Sequence, residues 1–274
     1  MRLIPAQFVK PFVKSNKNDF RDAEAIAEAV LRPTMRFVPL KSREQLDLQA
    51  LHRVRQRLVG ERTAVINQIR GFLLEHGIAL RAGPPALRRT LPEVLANRHG
   101  VLSPGMAQLL MDLEDDWRRL DDRIEEVTRT VEEIAKRDEG CRRLMTIPGV
   151  GPIVSSAMVA AIGDGAAFAK ARDFGAWLGL VPKQVSTGDR TLLRGISKRG
   201  NRHLRTMFIQ GARSVLLRRV TWANHSFGRW LEAAAPRLHR NVLAAALANK
   251  LARIAWSVLT RGGDYTRTPD ARPA

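Results

Sequence analysis

The stretch that decides this chain runs from Leu144 to Arg205. It reads LMTIPGVGPIVSSAMVAAIGD over 144–164, FGAWLGLVPKQVSTGD over 174–189 and RTLLRGISKRGNRHLR over 190–205. Gly149 and Gly151 flank Val150, and Ser155, Ser156, Ala157, Ala160 and Ala161 follow at helical spacing. Glycines let a backbone adopt positive φ and approach another surface closely, so this segment predicts a turn between two helices. The second of these helices begins with free N–H groups that favour an anion. Downstream the charge is one-sided. Val181–Arg219 holds ten Lys/Arg, among them Lys183, Arg194, Lys198, Arg199, Arg202 and Arg205, against one acid, Asp189. The Lys198–Arg202 run opens a further helix, and a helix start amid cations suits phosphate.

The h-x-G-h-G-x-x-x-A pattern around Gly149 and Gly151 resembles a helix-hairpin-helix, which grips DNA backbone without reading bases. An ordinary helical hairpin with glycines for close packing is the competing reading. Pro182–Gly188 reads as a polar loop carrying two adjacent hydroxyls, Ser186 and Thr187, among cations. Hydroxyls in loops usually make turn hydrogen bonds. In these surroundings one of them could attack a DNA phosphate, with the cations stabilising the developing charge.

Taken in order, IPGVGP, AIGD, AWLGLVPKQ, STG, ISKRGNRHLR and QGAR make the chain similar to the DEDD-type insertion-sequence transposases. That family includes the bridge-RNA-guided recombinases and the pilin-gene invertase. The resemblance covers nearly the whole chain. It implies a RuvC-like, RNase H-fold domain, a coiled-coil segment used for subunit assembly, and a helical domain with a serine nucleophile. The family's nucleophile directly precedes the glycine of its loop. Thr187 holds that position here with Ser186 beside it, so Ser186 is the expected nucleophile and Thr187 the alternative.

Near the start, Asn16 or Asn18 can cap a helix beginning near Asp19 and ending at Pro33. Asp19 and Asp22 then lie one turn apart on one face, a geometry that suits a shared Mg²⁺ or complements the helix dipole. The resemblance favours the metal: Lys17, Asp19, Asp22 and Ala23 match the family's closing K-x-D-x-x-D-A motif. Its other two metal ligands, an Asp and a Glu, lie upstream of that motif. An N-terminally shortened member is therefore expected, with residues 1–40 the remnant of its α/β domain.

Residues 41–76 repeat apolar side chains at helical spacing from Leu46 to Leu73, and 106–136 do so from Leu109 to Ile134. The second segment is acidic, with twelve Asp/Glu against six Lys/Arg over 105–139, and could face the basic first one. A coiled-coil arm over 41–139 is expected, either an antiparallel hairpin or a dimerising surface, with a Pro-rich connector at 78–104. Residues 140–262 form the helical domain, Val242–Leu259 an apolar helix, and 263–274 a disordered tail.

Composition agrees with a nucleic-acid partner. The 274 residues carry 46 Lys/Arg against 27 Asp/Glu, a net charge of +19, which points to a polyanion. One cysteine, Cys141, excludes an internal disulfide framework and fits the cytoplasm. No signal segment or membrane span is evident. The expected fold is mainly α. The expected activity is DNA transposition by phosphoryl transfer, on element ends and target DNA, in a homo-oligomer with a guide RNA. Two other classes fit the same residues: a DNA-binding remnant that no longer cuts, and a structural RNA-binding protein.

Overall fold

A computed structural model of the chain describes residues 3–14, 18–35, 37–81, 83–96, 101–188 and 190–266. The N-terminal part is small. Helix α1 (Ala6–Val9) and a 3₁₀ turn (Lys10–Phe12) lead to α2 (Asp19–Val30). Leu3 and Val38 form a lone antiparallel bridge, and no sheet of an α/β domain forms around it among the described residues. Asn18 caps α2 by accepting from the Phe20 N–H at 2.9 Å. Helix α2 buries Ala25 and Ala29 and leaves Phe20, Ile26 and Leu31 in solvent.

Two long helices follow, α3 (Arg43–Glu75) and α5 (Pro104–Arg137), joined through α4 (Pro84–Ala96). Ser42 starts α3 with a capping box, its Oγ accepting from Gln45 N while Gln45 Oε1 accepts from Ser42 N. Ser103 and Pro104 start α5 in the N-cap and first-turn positions that suit each residue. Arg55 Nε donates to Thr128 Oγ1 at 2.8 Å, and Arg62 Nη1 pairs with Asp121 at 3.1 Å. One heptad forward on α3 is thus one heptad back on α5, which makes the pair an antiparallel hairpin within one chain. At its tip Leu87 and Leu91 of α4 close over Ile69, Leu73, Leu110 and Trp117. The Pro-rich connector therefore contains a packed helix, because Leu87 and Leu91, i and i+4, present one apolar face to the arm.

The remaining helices are α6 (Glu139–Met145), α7 (Pro152–Ile162), α8 (Ala171–Trp177), α9 (Arg202–Leu217), α10 (Gly228–Ala234) and α11 (Arg240–Arg261). A hairpin of β1 (Pro182–Thr187) and β2 (Arg190–Ile196) projects between α8 and α9. The core of this half gathers Phe174, Phe208, Phe227, Leu247 and Leu251. Helix α11, expected as an apolar helix over Val242–Leu259, is long and apolar enough to cross a membrane by length and composition. Here it buries eight side chains from Leu243 to Val258 against α8 and α9. The arm is fastened to this half at α7. Lys41 Nζ, Gln45 Nε2 and Gln49 Nε2 donate to the carbonyls of Ala161, Val159 and Ala160 at 2.9, 3.2 and 2.8 Å. These carbonyls belong to the last helical turn, where acceptors outnumber the donors that the helix itself can offer.

Candidate nucleic-acid interface

Pro182–Gly188, expected as a loop, is strand and turn. Val185 faces Leu192, Ser186 faces Thr191 and Thr187 faces Arg190, while Gly188 turns the chain at φ +54. Alternation places Lys183, Val185 and Thr187 on one side of the ribbon with Arg190 and Leu192. Gln184 and Ser186 lie on the other with Thr191 and Leu193. A register shift between Pro182 and Gln184 sets Arg194 in a bulge opposite Lys183. On the neutral side Gln184 Nε2 donates to Ser186 Oγ at 2.8 Å, and Thr191 Oγ1 lies 3.3 Å from that oxygen. Ser186 is held and oriented, whereas Thr187 shares its side with Lys183 and Arg190. Both hydroxyls are exposed, as is nearly all of the ribbon. A lone two-stranded hairpin is marginal in water, so the ribbon's stability comes from its base.

That base is built tightly. Gly200 has φ +82 and Gly179 φ +69, and a Cβ on either would collide with the backbone of Trp177 or Arg199 respectively. Ser197 N donates to Val181 O at 2.8 Å, Lys198 N to Gly179 O at 3.1 Å and Asn201 N to Trp177 O at 3.2 Å. Asn201 then caps α9, accepting from Leu204 N at 3.0 Å. Arg205 does not join the phosphate-facing cations expected of it. Its side chain is buried, and Nη1 donates to Leu178 O at 2.9 Å and Arg199 O at 3.2 Å. It clamps the loop that displays Lys198, Arg199 and Arg202, all exposed.

The two glycines of the α6–α7 turn separate into two roles. Gly149, at φ +82, abuts α9: a Cβ would stand 2.6 Å from Gly211 O. Its glycine is explained by packing. Gly151 caps α7 and has open space where a side chain would be. Between this turn and the end of α9 lies a groove of about 490 Å³ lined by Thr146, Pro148, Gly151, Ser214, Arg218 and Thr221.

Sequence reading missed a polar junction beneath this surface. His52 Nε2 lies 3.0 Å from Ser156 Oγ, which in turn donates to Pro152 O at 2.6 Å. The His203 ring packs edge-on against His52 at 5.8 Å. Burial first, then the charges of His203 and Arg55, push His52 down to about 4. Burial, then Arg55, lowers His203 as well. The available signal was position: His52 follows Leu48 by four residues and so falls on the buried stripe of α3.

Asp19 and Asp22 open α2 as expected, Asp19 exposed and Asp22 half-buried. Lys17 lies outside the described residues. Among those residues no group of three or more His, Cys, Asp or Glu gathers as a metal site. A Mg²⁺ takes a near-octahedral oxygen shell, and these two carboxylates alone do not fit it.

The distribution of ion pairs is the clearest electrostatic feature. Every salt bridge among the described residues falls between Lys14 and Arg143. Lys183, Arg190, Arg194, Lys198, Arg199 and Arg202 are thus left without a carboxylate partner among those residues.

The chain is similar to known proteins along most of its length. Residues 141–227 match the "Transposase IS116/IS110/IS902 family", and residues 2–78 match a DEDD-type transposase family. The transposase for insertion sequence element IS1328 of Yersinia enterocolitica is 45% identical over 97% of this chain and 79% of its own length. A probable family 20 transposase of Pseudomonas aeruginosa is 47% identical over 97% of this chain and 78% of its own. The transposase for element IS1111A of Coxiella burnetii is 45% identical over 96% and 72%. Neither a non-cutting DNA-binding module nor a structural RNA-binding protein is favoured by these relatives. This chain belongs to the DEDD-type insertion-sequence transposases, enzymes that bind and move DNA.

Proposed function

We propose that the chain acts on DNA through a hydroxyl of the β1–β2 ribbon, with Ser186 as nucleophile and Thr187 as the alternative. The single observation that carries this is the placement of both hydroxyls on an exposed ribbon whose own cations and those at its base have no carboxylate partner among the described residues. Thr187 lies on the cationic side, and Ser186 on the neutral side where Gln184 and Thr191 orient it. The Ser186 oxygen attacks the phosphorus of a DNA phosphodiester, and the bond from phosphorus to one deoxyribose oxygen breaks. The leaving oxygen takes up a proton while the serine gives one up to solvent, and the strand is joined to the protein as a phosphoester. Attack by a deoxyribose hydroxyl of another strand reverses the step, restores a phosphodiester and frees Ser186. Gln184 and Thr191 orient the serine. Lys183, Arg190, Arg194, Lys198, Arg199 and Arg202 hold phosphates and offset the charge that grows on the reacting one.

Asp19 and Asp22 are the proposed contribution of α2 to a divalent-metal site completed by ligands from elsewhere. The same basic surface would take a guide RNA that selects the target. Because the α3–α5 seam is filled within one chain, assembly with other copies would use the outer face of the arm. The place of action is wherever chromosomal DNA is accessible, in the cytoplasm.

The test is incubation with supercoiled plasmid carrying the element ends, with RNA and Mg²⁺, followed by denaturing gels run without protease. A protein–DNA adduct that S186A abolishes and T187A retains is expected. Loss only in T187A would transfer the role to Thr187. An adduct retained in both single variants and in the double variant would overturn the ribbon as the nucleophile's site.

A further inference from the structure

Two of the most exposed apolar side chains stand in a stretch of sequence without acids. Leu217 is 86% and Val220 96% exposed, and no Asp or Glu occurs from Arg190 to Leu231. Arg218 and Arg219 lie between them, and Arg213 is exposed one turn before Leu217. The corner is firmly built. Helix α9 ends at Leu217, Arg218 leaves it at φ −101 and ψ 58, and a 3₁₀ turn takes over at Arg219–Asn224. Trp222 is buried beneath that turn, its Nε1 donating to Val215 O at 3.0 Å. Thr221 Oγ1 donates to Arg218 O at 2.8 Å, and the Arg219 guanidinium lies over the Trp222 ring at 5.5 Å. Leu217 and Val220 are therefore held outward by a packed support. Arg218 and Thr221 also line the groove beside the α6–α7 turn, so the corner is continuous with that surface.

We infer that the Leu217–Val220 corner is a wedge for duplex DNA. The inference rests on the reading that this face binds DNA and adds what the face does to it. Arg218 and Arg219 anchor on phosphates, while Leu217, with Val220 beside it, presses into a base step. Apolar side chains inserted this way unstack the step and bend the duplex. Charge selects the occupant. A second copy docking through the same face would set arginine against arginine, whereas a polyanion complements it.

The experiment uses the full chain and a mixed-sequence duplex of about 30 base pairs, a length over which a bend is measurable, with a donor and an acceptor dye at its two ends. Wild-type protein is expected to bind it and raise energy transfer. L217A/V220A should keep affinity within about threefold and lose most of that rise, because the phosphate-binding cations that dominate affinity remain. R218A/R219A should weaken binding and reduce the log–log salt slope by about 2, near one unit for each arginine taken away from a phosphate. Light scattering follows the mass of each protein. An unchanged bend in L217A/V220A overturns the wedge, and so does a fall in oligomeric mass, which would assign the corner to another protein chain. If the wild-type chain does not bind the duplex at all, the DNA-binding reading falls and the wedge with it.

Discussion

The buried His52–His203 junction makes stability fall on mild acidification. His52 sits at about 4 in the folded chain against an ordinary value near 6.5. The unfolded chain therefore binds the proton more readily, and stability rises with pH through this window. The contribution is complete above about pH 6.5 and is lost as pH falls toward 4. At about 1.4 kcal/mol per pH unit, going from pH 7.5 to pH 4.5 removes about 2.5 kcal/mol for this histidine alone. His203, lowered by burial and by Arg55, adds in the same direction. The assay is urea unfolding followed by circular dichroism at the two pH values, for wild type and for H52Q. The glutamine cannot titrate, so the wild-type loss should exceed the H52Q loss by about 2 kcal/mol, whatever the variant's starting stability. Equal losses in the two proteins would refute the reasoning. They would place the acid sensitivity in groups that both proteins share, His203 and the carboxylates.

Further outcomes at three positions follow from packing. Gly149→Ala must place a side chain at positive φ against Gly211 O, and should lower stability by about 3 kcal/mol or more, read from the urea midpoint. Arg205→Met removes the donor from the buried carbonyls of Leu178 and Arg199; a loss of about 2–4 kcal/mol is expected in the same assay. If Arg205 instead held DNA, this variant would keep its stability and bind DNA more weakly. Trp117→Ala should cost about 3–5 kcal/mol at the arm tip. Trp117→Phe should stay within about 1 kcal/mol, since the indole Nε1 is buried there without a hydrogen-bond partner.

The arm was legible from its own residues, because each helix carries a long periodic face and its own cap. Ser42–Gln45 before α3 and Ser103–Pro104 before α5 are local signals, and the opposite charges of the two segments fit their pairing. The choice between hairpin and dimer was not legible. It depends on α4, whose Leu87 and Leu91 only become a closing face once Pro84–Ala96 is helical. The ribbon was read as a loop because Pro182–Gly188 lacks clean apolar alternation: Lys183, Gln184, Ser186 and Thr187 are polar on both sides of an exposed hairpin. Arg205 illustrates the same limit at one residue. Its neighbours Lys198, Arg199 and Arg202 are exposed, and composition cannot separate a clamp from the cations it positions.

The arm and the basic face are joined through α7 and the start of α9. Three side chains of the arm's beginning, Lys41, Gln45 and Gln49, hold the last carbonyls of α7. One turn on, His52 touches Ser156 of α7 and the His203 ring at the first turn of α9. The opposite end of α7 begins at Gly151, beside the groove, and α9 begins where Lys198–Arg202 is displayed. Helix α7 thus carries the turn beside the groove at one end and the arm's hydrogen bonds at the other, and α9 meets the arm through the His52–His203 contact. Gln49→Ala removes one of these hydrogen bonds without touching a cation or the ribbon. If the arm helps set the basic face, Q49A weakens DNA binding at unchanged salt slope, since every phosphate-binding cation is still present. A variant that binds DNA as wild type does would mean that the base of the ribbon, with its Arg205 clamp, suffices to hold the face in place.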